Sequence, residues 1–225
     1  MSTTAFSTTP TTDRPWVHEM VIVHRVFRRE LTLLPHLVRE VDDHDSARAA
    51  TLADALRLVL GGLHHHHTGE DLVLWPALLE RAAPSTGLVE TMQAQHEVVE
   101  DLLDRVEPLL DAWTGDPTAA RGREVADLVD RLAAALFEHL DLEEREILPL
   151  ALRHVTVEEW NSLGEQGMDE MDPRQLPILF GAILEECTDE ERRAMLAKLP
   201  LPVRVLIRTV GAWQYRRYVT RVRGR

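Results

Sequence analysis

The chain has 225 residues, 44% of them hydrophobic, and its acidic residues outnumber its basic residues by 38 to 25. This length can bury one full core, as one domain with an appendage or as two small domains, and it excludes a large multidomain enzyme. The acidic excess lies in residues 1–160, which carry 29 acidic and 14 basic side chains, so this part would repel nucleic acid.

The first 15 residues are rich in Ser, Thr and Pro, and they lack the basic residues and apolar core of a secretory signal. We expect a disordered leader over residues 1–15. Cys187 is the single cysteine, which excludes an internal disulfide, and we expect it to be a small core residue. No apolar stretch approaches the roughly 18–20 residues needed to cross a bilayer. These features predict a cytoplasmic protein without a transmembrane segment.

Four long helical segments follow the leader, since modest Gly and Pro contents and few β-branched runs favour an all-α chain. They are predicted from about Trp16 to Asp43, from Ser46 to Pro76 or slightly beyond, from about Leu88 to Trp113 and from about Thr118 to His154. Pro35 would kink the first helix, Ser46 would cap the second, and Pro84 to Gly87 would form a turn. Short connections force neighbouring helices to pack together, which predicts an antiparallel up-down four-helix bundle over residues 16–154.

Residues 155–225 form a helical extension with a different character. Thr156 with Glu159, and Thr188 with Glu191, have the spacing of a capping box. The Asp172-Pro173 pair can start a helix with proline in its first turn. We therefore expect two or three shorter C-terminal helices after the bundle.

The last segment of the chain is basic and amphipathic. From Pro200 onward it has seven arginines and no acidic residue, interleaved with apolar side chains such as Leu206, Val210 and Trp213. Three interpretations are open: packing on the bundle, contact with a membrane surface, and contact with nucleic acid. Packing is favoured, because the acidic bundle attracts an arginine-rich helix.

An internal repeat carries the residues with metal-binding chemistry. His24 is followed by His66, 42 residues later, and His96 is followed by His139, 43 residues later. The second histidine of each pair has a glutamate four residues on, and a proline lies six residues beyond that glutamate. The residues concerned are Glu70 and Pro76 in one half, and Glu143 and Pro149 in the other.

The spacing of histidine and glutamate brings both side chains to one face of a helix. Four residues advance a helix by about 400°, so the two side chains project in the same direction, one turn apart. Two helix pairs in a bundle would gather six residues at one interior site. These residues are His24, His66, Glu70, His96, His139 and Glu143. Buried and unpaired, they would be costly, whereas a pair of metal ions satisfies all of them.

The ligand types narrow the metal. Imidazole with carboxylate and without thiolate suits iron, with manganese and zinc as weaker candidates, while calcium prefers oxygen ligands alone. Six protein ligands are too many for one tetrahedral zinc, but they fit two ions that share the carboxylates. A bridging oxo, hydroxo or water oxygen would bring each iron to five ligands and leave one position open on each.

Taken together, these motifs resemble the hemerythrin-like, histidine-histidine-glutamate cation-binding family over residues 16–154. The resemblance rests on His24, on the His-His-His-His-Thr-Gly-Glu-Asp run at 64–71 followed by Leu74-Trp75-Pro76, on Gln95-His96-Glu97, and on His139 with Glu143. It implies a hemerythrin-like bundle with a di-iron centre. In this centre Glu70 and Glu143 would bridge the irons, and His24, His66, His96 and His139 would be terminal ligands.

The chain departs from the family pattern at Glu100. Oxygen-carrying hemerythrins have a fifth histidine four residues after the third-helix histidine, and here that position is Glu100. Glu100 could cap an iron, act as an acid or base beside it, or face solvent. Fewer neutral nitrogens and more carboxylate favour ferric iron, and hence peroxide or nitric oxide chemistry over reversible oxygen carriage.

Other histidines lie near the predicted ligands in sequence. In the run from His64 to His67, one residue points inward at the phase of His66, so His65 and His67 are expected at solvent or in an outer position. His18 and His36 flank His24 as lesser ligand candidates. Trp75 and Pro76 are expected to serve packing and helix termination.

The leading functional hypothesis is a di-iron protein that binds or reduces hydrogen peroxide, oxygen or nitric oxide in oxidative or nitrosative stress. Turnover like that of a catalase or peroxidase is left open. An alternative is an iron or oxygen sensor without turnover, which signals through the C-terminal helices. A third class is a structural metal protein, for example with zinc. The small ligand is the expected partner, and no nucleic acid is expected.

Overall fold

The computed structural model describes residues 6–82, 85–169 and 172–224, and all regular elements within these ranges are helical. The helices of the bundle are α1 (His18–Arg39), α2 (Ser46–Gly69), α3 (Trp75–Arg81), α4 (Thr86–Gly115), α5 (Ala119–Leu142) and α6 (Leu148–His154). Two π-turns, π1 (Glu70–Leu74) and π2 (Glu143–Ile147), join α2 to α3 and α5 to α6 without a break. The all-α prediction is confirmed.

These elements form a four-helix bundle in the predicted order. The helix α1 packs against α2 and α5, and α4 packs against α2 and α5, so the four long helices close around a common core. The connections between them are short: residues 40–45 lead from α1 to α2, and residues 116–118 lead from α4 to α5. Short connections of this kind place consecutive helices side by side in opposite directions.

The starts of the helices follow local capping chemistry. Asp45, and not Ser46 as predicted, caps α2, because its side chain accepts a hydrogen bond from the Arg48 backbone N–H at 2.9 Å. The Thr118 hydroxyl caps α5 by accepting from the Arg121 N–H. Pro35 lies inside α1. The predicted turn at Pro84 begins outside the described residues, and α4 has already begun at Thr86.

Two apolar clusters fill the bundle, and a polar layer separates them. One cluster contains Val26, Leu63, Val99 and Leu136, and the other is built around Met20, Leu74, Trp75, Met92 and Ile147. Along α1 the polar layer lies at His24, between Met20 and Val26. Along α4 it lies at His96, between Met92 and Val99. The predicted ligands therefore sit in the middle of the bundle.

In the described part of the extension, five helices and a third π-turn follow the bundle, more than the two or three predicted. They are α7 (Val157–Asp169), α8 (Leu176–Glu186), α9 (Asp189–Ala197), α10 (Leu201–Leu206), π3 (Ile207–Gly211) and α11 (Ala212–Arg223). The helix α7 packs against α2 and π1, α8 packs against α1, and α11 packs against α8 and α2. The division into a leader, a bundle over 16–154 and an extension stays a prediction.

The capping boxes predicted in this extension are confirmed. The Thr156 and Glu159 side chains exchange hydrogen bonds with each other's backbone N–H, and Thr188 and Glu191 do the same. The helix start predicted at Asp172-Pro173 was wrong. The Asp172 side chain accepts from the Arg174 N–H in a turn, and α8 begins only at Leu176.

The last helix is tied to the bundle and to α8 by polar contacts. The Arg223 guanidinium donates to Glu30 at 2.7 Å and to Glu185 at 2.9 Å. The Arg48 guanidinium donates to the backbone carbonyl of Val222 at 2.7 Å. Tyr215, Tyr218 and Val222 are buried on the same side. The prediction that the basic tail packs on the bundle is confirmed for α11.

The structure describes only part of the predicted leader. Of the predicted leader, residues 1–5 lie outside the described residues. Residues 6–15 follow an irregular path, and the Trp16 indole N–H donates to the Ser7 carbonyl at 3.0 Å.

Among the described residues, none of the helices combines the length and the apolar character that crossing a bilayer requires.

Candidate metal centre

The six residues that the sequence predicts as ligands meet in the polar layer, in two groups. The first group consists of His24, His66, Glu70 and Glu143, and the second consists of His67, Glu70, His96 and His139. In each group one donor atom from every member lies within 4.8 Å of the donor atoms of the others. Glu70 belongs to both groups. Nearly all of these side chains are buried, with His66 only slightly more exposed.

The π-turns explain how each glutamate is placed. Each glutamate begins a π-turn, in which the carbonyl of Glu70 accepts from the Trp75 N–H and the carbonyl of Glu143 accepts from the Leu148 N–H. The wider turn leaves room for the proline that follows one residue later, Pro76 or Pro149, so the helix continues instead of breaking. The expectation that Pro76 ends its helix was therefore wrong: α3 runs on to Arg81.

Three histidines are oriented by side chains for which no role was predicted from the sequence. The Nδ1 atom of His24 lies 2.9 Å from a carboxylate oxygen of Glu144, and that of His96 lies 2.8 Å from Asp71. The Nδ1 atom of His139 lies 3.3 Å from the Gln95 amide oxygen. Because these oxygens accept, Nδ1 carries a proton and Nε2 faces the site, where it can bind a metal ion once it is deprotonated.

The two acidic partners complete the internal repeat. Asp71 follows Glu70 directly, and Glu144 follows Glu143 directly. Each of them bonds to a histidine of the other half: Asp71 to His96 and Glu144 to His24. An acidic residue next to each glutamate was visible in the sequence and was the signal that could have identified these partners.

His67 is the member of the site that the sequence analysis misassigned. It is 1% exposed, and its ring stacks on His96 with 4.0 Å between the ring centroids. The expectation that it faces solvent was wrong, because the structure buries it among the donors of the second group. Consecutive residues on a helix point about 100° apart, so His66 can reach the first group while His67 reaches the second. Two inward directions therefore exist along this histidine run, where one was predicted.

The remaining candidate histidines lie outside both groups. His64 is exposed, and its Nδ1 atom lies 3.0 Å from Glu100. His18 is buried but bonds to Glu191 at 2.6 Å, and His36 is an exposed partner of Glu40. None of the three contributes a donor atom to either group.

Glu100 also lies outside both groups, next to the second one. One of its carboxylate oxygens lies 3.9 Å from Nδ1 of His67, and the other faces His64. Its side chain is 34% exposed. The carboxylate is therefore an outer neighbour of His67 at the edge of the site.

The donor atoms of the site fit metal ions because they lack other partners. Among the described residues, these buried atoms make no hydrogen bond: Nε2 of His24 and of His66, both ring nitrogens of His67, and both carboxylate oxygens of Glu70 and of Glu143. Buried polar atoms without partners each cost free energy on the order of 1–3 kcal/mol. Imidazole nitrogens and carboxylate oxygens at this spacing are a donor set that two transition-metal ions satisfy together.

The carboxylates and imidazoles strongly perturb one another. Burial would lower the pKa of His24, but Glu143 and Glu144 outweigh it and raise that pKa to about 9. Burial would likewise lower the pKa of His96, and Asp71 with Glu70 raises it to about 9. Burial and the charge of Glu143 raise the pKa of Glu70 to about 8. Protons thus occupy part of the site at neutral pH, and a metal ion would displace them.

Comparisons with known proteins point to one family. The family model described as hemerythrin HHE cation binding domain matches residues 17–151. The chain is 27% identical over 161 residues to the iron-sulfur cluster repair protein YtfE of Dickeya chrysanthemi, which covers 65% of this chain and 73% of the relative. No solved structure matches the chain.

Two further relatives carry the same name, from Musicola paradisiaca and Yersinia pestis. They are 28% and 29% identical over 132 and 133 residues. These matches cover 58% of this chain and 60% of each relative, which is less than two thirds of their length.

Proposed function

Because the chain belongs to the hemerythrin HHE cation-binding domain family, we propose that its two groups of donors hold two iron ions that react with a small oxidant. The observation that carries this proposal is the set of buried donor atoms without partners. Iron bound there would supply Lewis-acid and redox chemistry toward peroxide, oxygen or nitric oxide. Manganese and zinc are weaker candidates, since carboxylate with imidazole suits iron best.

The two groups differ in their donors. The second group has three histidines and Glu70, whereas the first has two histidines with Glu70 and Glu143. If Glu143 also reached the ion in the second group, as the family resemblance implies, that ion would have one protein ligand more than the ion in the first group. We therefore assign small-ligand binding to the first group, between His24 and His66.

The side chains around the first group suit an uncharged or weakly charged small ligand. The ring of Phe27 lies 5.4 Å from that of His66 and forms an apolar wall beside it. Behind His24, Glu144 is held by Arg28 at 3.3 Å, which keeps the imidazole from turning. Glu100 is assigned to the outer side of His67, where its carboxylate lies 3.9 Å from Nδ1 and adds negative charge beside the second group.

We place the activity in oxidative or nitrosative stress. The relatives are named for the repair of iron–sulfur clusters, and such clusters are themselves targets of these oxidants. Catalase-like or peroxidase-like turnover is one form that the chemistry could take. In each form the protein would remove or retain the oxidant at the first group.

A second candidate function is sensing without turnover, and one contact favours it. The helix α7 packs directly against π1, the segment that begins with Glu70. A Cβ at Gly69 would lie 3.2 Å from the Leu163 carbonyl, so the two backbones approach closely. Occupancy at Glu70 would then alter the packing of the C-terminal helices, which protease protection of residues 160–225 would report.

Elemental analysis with absorption spectra before and after peroxide tests the leading proposal. We expect about two irons per chain, with near-ultraviolet bands that change on addition of peroxide and recover as it is consumed. Glu70→Gln should lose both irons, because both groups need this carboxylate. His36→Gln, which replaces an exposed histidine outside the site, should keep them. Stoichiometric zinc, or no iron after reconstitution with ferrous salt, would overturn the proposal.

A further inference from the structure

The segment from α10 to the start of α11 exposes an apolar surface. Leu201, Leu206 and Trp213 are 68%, 56% and 53% exposed, and Val205 and Val210 are exposed as well. The helix α10 has no buried residue. We use the name tail surface for Leu201, Val205, Leu206, Val210, Trp213 and Arg217. Clusters of exposed large apolar side chains mark contact sites in proteins that are otherwise well packed.

The exposed and the anchored parts of this helix lie in different halves. The second half is anchored by Gly211, Tyr215, Tyr218 and Val222, which are buried. The first half, α10, has no buried residue, and its apolar side chains stand out from the rest of the protein. In the described structure nothing from the rest of the chain covers α10 as α8 covers α11.

Positive charge surrounds the tail surface. Residues 192–225 contain ten arginine or lysine residues and no acidic residue. Arg208 and Arg216 are exposed next to it, and the Arg217 guanidinium lies 5.6 Å from the ring centre of Trp213. The occupant of this surface must accept aliphatic side chains and must carry negative charge.

We propose that the tail surface docks on an anionic phospholipid membrane. Aliphatic residues and a tryptophan flanked by arginines are typical of helices that lie in the headgroup region. A two-fold pairing with a second copy would bring the arginines of both chains together, which repulsion disfavours. Nucleic acid would meet the arginines but would leave Leu206 and Val210 without apolar partners. The acidic bundle would be held away from the membrane.

Trp213 provides a direct measurement of this docking. The other four tryptophans, Trp16, Trp75, Trp113 and Trp160, are at most 5% exposed, so Trp213 dominates the quenchable fluorescence. We expect vesicles of phosphatidylcholine with phosphatidylglycerol to bind the protein and to shift its emission to the blue. Lipids brominated on their acyl chains should quench that emission, and Trp213→Phe should abolish the quenching.

Matched variants separate the apolar and the charged contributions. Leu206→Ser with Val210→Ser should weaken vesicle binding by at least about tenfold. Arg216→Gln with Arg217→Gln should weaken it on the order of tenfold and reduce its sensitivity to salt. Val98→Ser in α4, which also removes an exposed apolar side chain, should leave binding unchanged. Circular dichroism and metal content verify that each variant is folded.

Three outcomes would overturn the proposal. Equal binding to vesicles without anionic lipid would remove the role of charge, and binding unaffected by the Leu206 and Val210 variants would remove the role of the tail surface. Absence of vesicle binding together with self-association that requires Leu206 and Val210, measured by light scattering, would assign the surface to a second copy of the chain instead.

Discussion

Asp71 and Glu144 act on the candidate metal centre through the histidines that they orient. A carboxylate on Nδ1 fixes the tautomer and ring orientation of an imidazole and makes Nε2 a stronger donor. In this chain the carboxylate and the histidine always come from different halves of the repeat. Each half therefore completes the binding chemistry of the other.

Asp71→Asn tests this arrangement. Loss of the negative charge next to His96 should lower the affinity for iron of the second group by about 10–100-fold. Competition with a ferrous chelator measures the affinity. Glu146→Gln is the control, since Glu146 is exposed and pairs with Arg145 rather than with a histidine. Equal affinities of the two variants would contradict an orienting role for Asp71.

His67→Leu should have opposite effects on the metal-free and the iron-loaded protein. Neither ring nitrogen of His67 has a hydrogen-bond partner among the described residues, so leucine removes a cost from the metal-free form. Its melting temperature should rise. With iron the same change removes a donor of the second group, and the stabilisation by iron should shrink. Thermal unfolding with and without ferrous iron gives both values, and a change of the same sign in both forms would argue against His67 as a ligand.

At the residue scale the repeat predicts more of the site than any single motif. His24, His66, Glu70, His96, His139 and Glu143 follow from spacing alone, and the structure brings them together. The repeat does not predict His67 as a member of the site, because the residue at the equivalent position in the second half is Leu140. A residue next to a ligand can also point inward if two metal positions share one helix face. Sequence spacing alone does not show whether they do.

Packing of α11 on α8 depends on a glycine at the crossing. A Cβ at Gly181 would collide with the ring of Tyr215, whose hydroxyl donates to Glu185 at 2.5 Å. Gly181→Ala should therefore destabilise the protein by about 1–3 kcal/mol and loosen the last helix. Urea unfolding measures the first effect, and protease cleavage after α8 measures the second.

Gly61→Ala is the control for this substitution. Gly61 lies inside α2 with no atom within 4 Å of a built Cβ. Alanine there should stabilise the protein by about 0.5–1 kcal/mol, because it restricts the unfolded chain. If both glycine variants change stability in the same direction, the crossing of α8 and α11 is not as close as described.

At the element scale the long helices of the bundle were predictable, and the exceptions have a common cause. Proline was taken as the end of a helix at Pro76 and as a helix start at Pro173. In the structure π1 accommodates the first, and a turn stabilised by the Asp172 side chain contains the second. Proline restricts the backbone, but neighbouring turns decide whether it ends, begins or interrupts a helix.

The protonation of the centre makes the stability of the whole molecule depend on pH. The pKa of His24 and of His96 is raised to about 9, so the stability that their charged forms contribute is present below pH 6.5 and is lost as pH rises through 9. Burial lowers the pKa of His66 and of His139 to about 3, so the stability from their neutral forms is lost as pH falls below 6.5. The metal-free protein should be most stable near pH 6.5.

Iron should reverse the upper half of this profile. The ligands bind metal in their deprotonated forms, so the stabilisation by iron grows as pH rises from 6.5 toward 9. Urea unfolding under anaerobic conditions at several pH values, with and without ferrous iron, measures the difference. Parallel stability profiles with and without iron would show that the metal does not displace protons from these histidines.

The opposite charges of the two parts of the chain were evident in the sequence, and they predict that the tail packs on the bundle. The contact of Arg223 with Glu30 of α1 is the result. The separation of the tail into an anchored half and an exposed half was not predictable. It depends on which side of the helix meets α8, and the small residues at that crossing carry little signal in a hydropathy pattern.

Glu70 contributes to both groups, and this has a consequence for how the protein would take up iron. If iron binds as proposed, the first ion would have to displace the proton from Glu70 and would fix its carboxylate. For the second ion that ligand would already be ionised and in place, so its binding would be the easier step. Loading of this kind would be cooperative. A protein sample that receives half of the iron it can hold would then consist mainly of fully loaded and iron-free molecules, because the ions would bind in pairs.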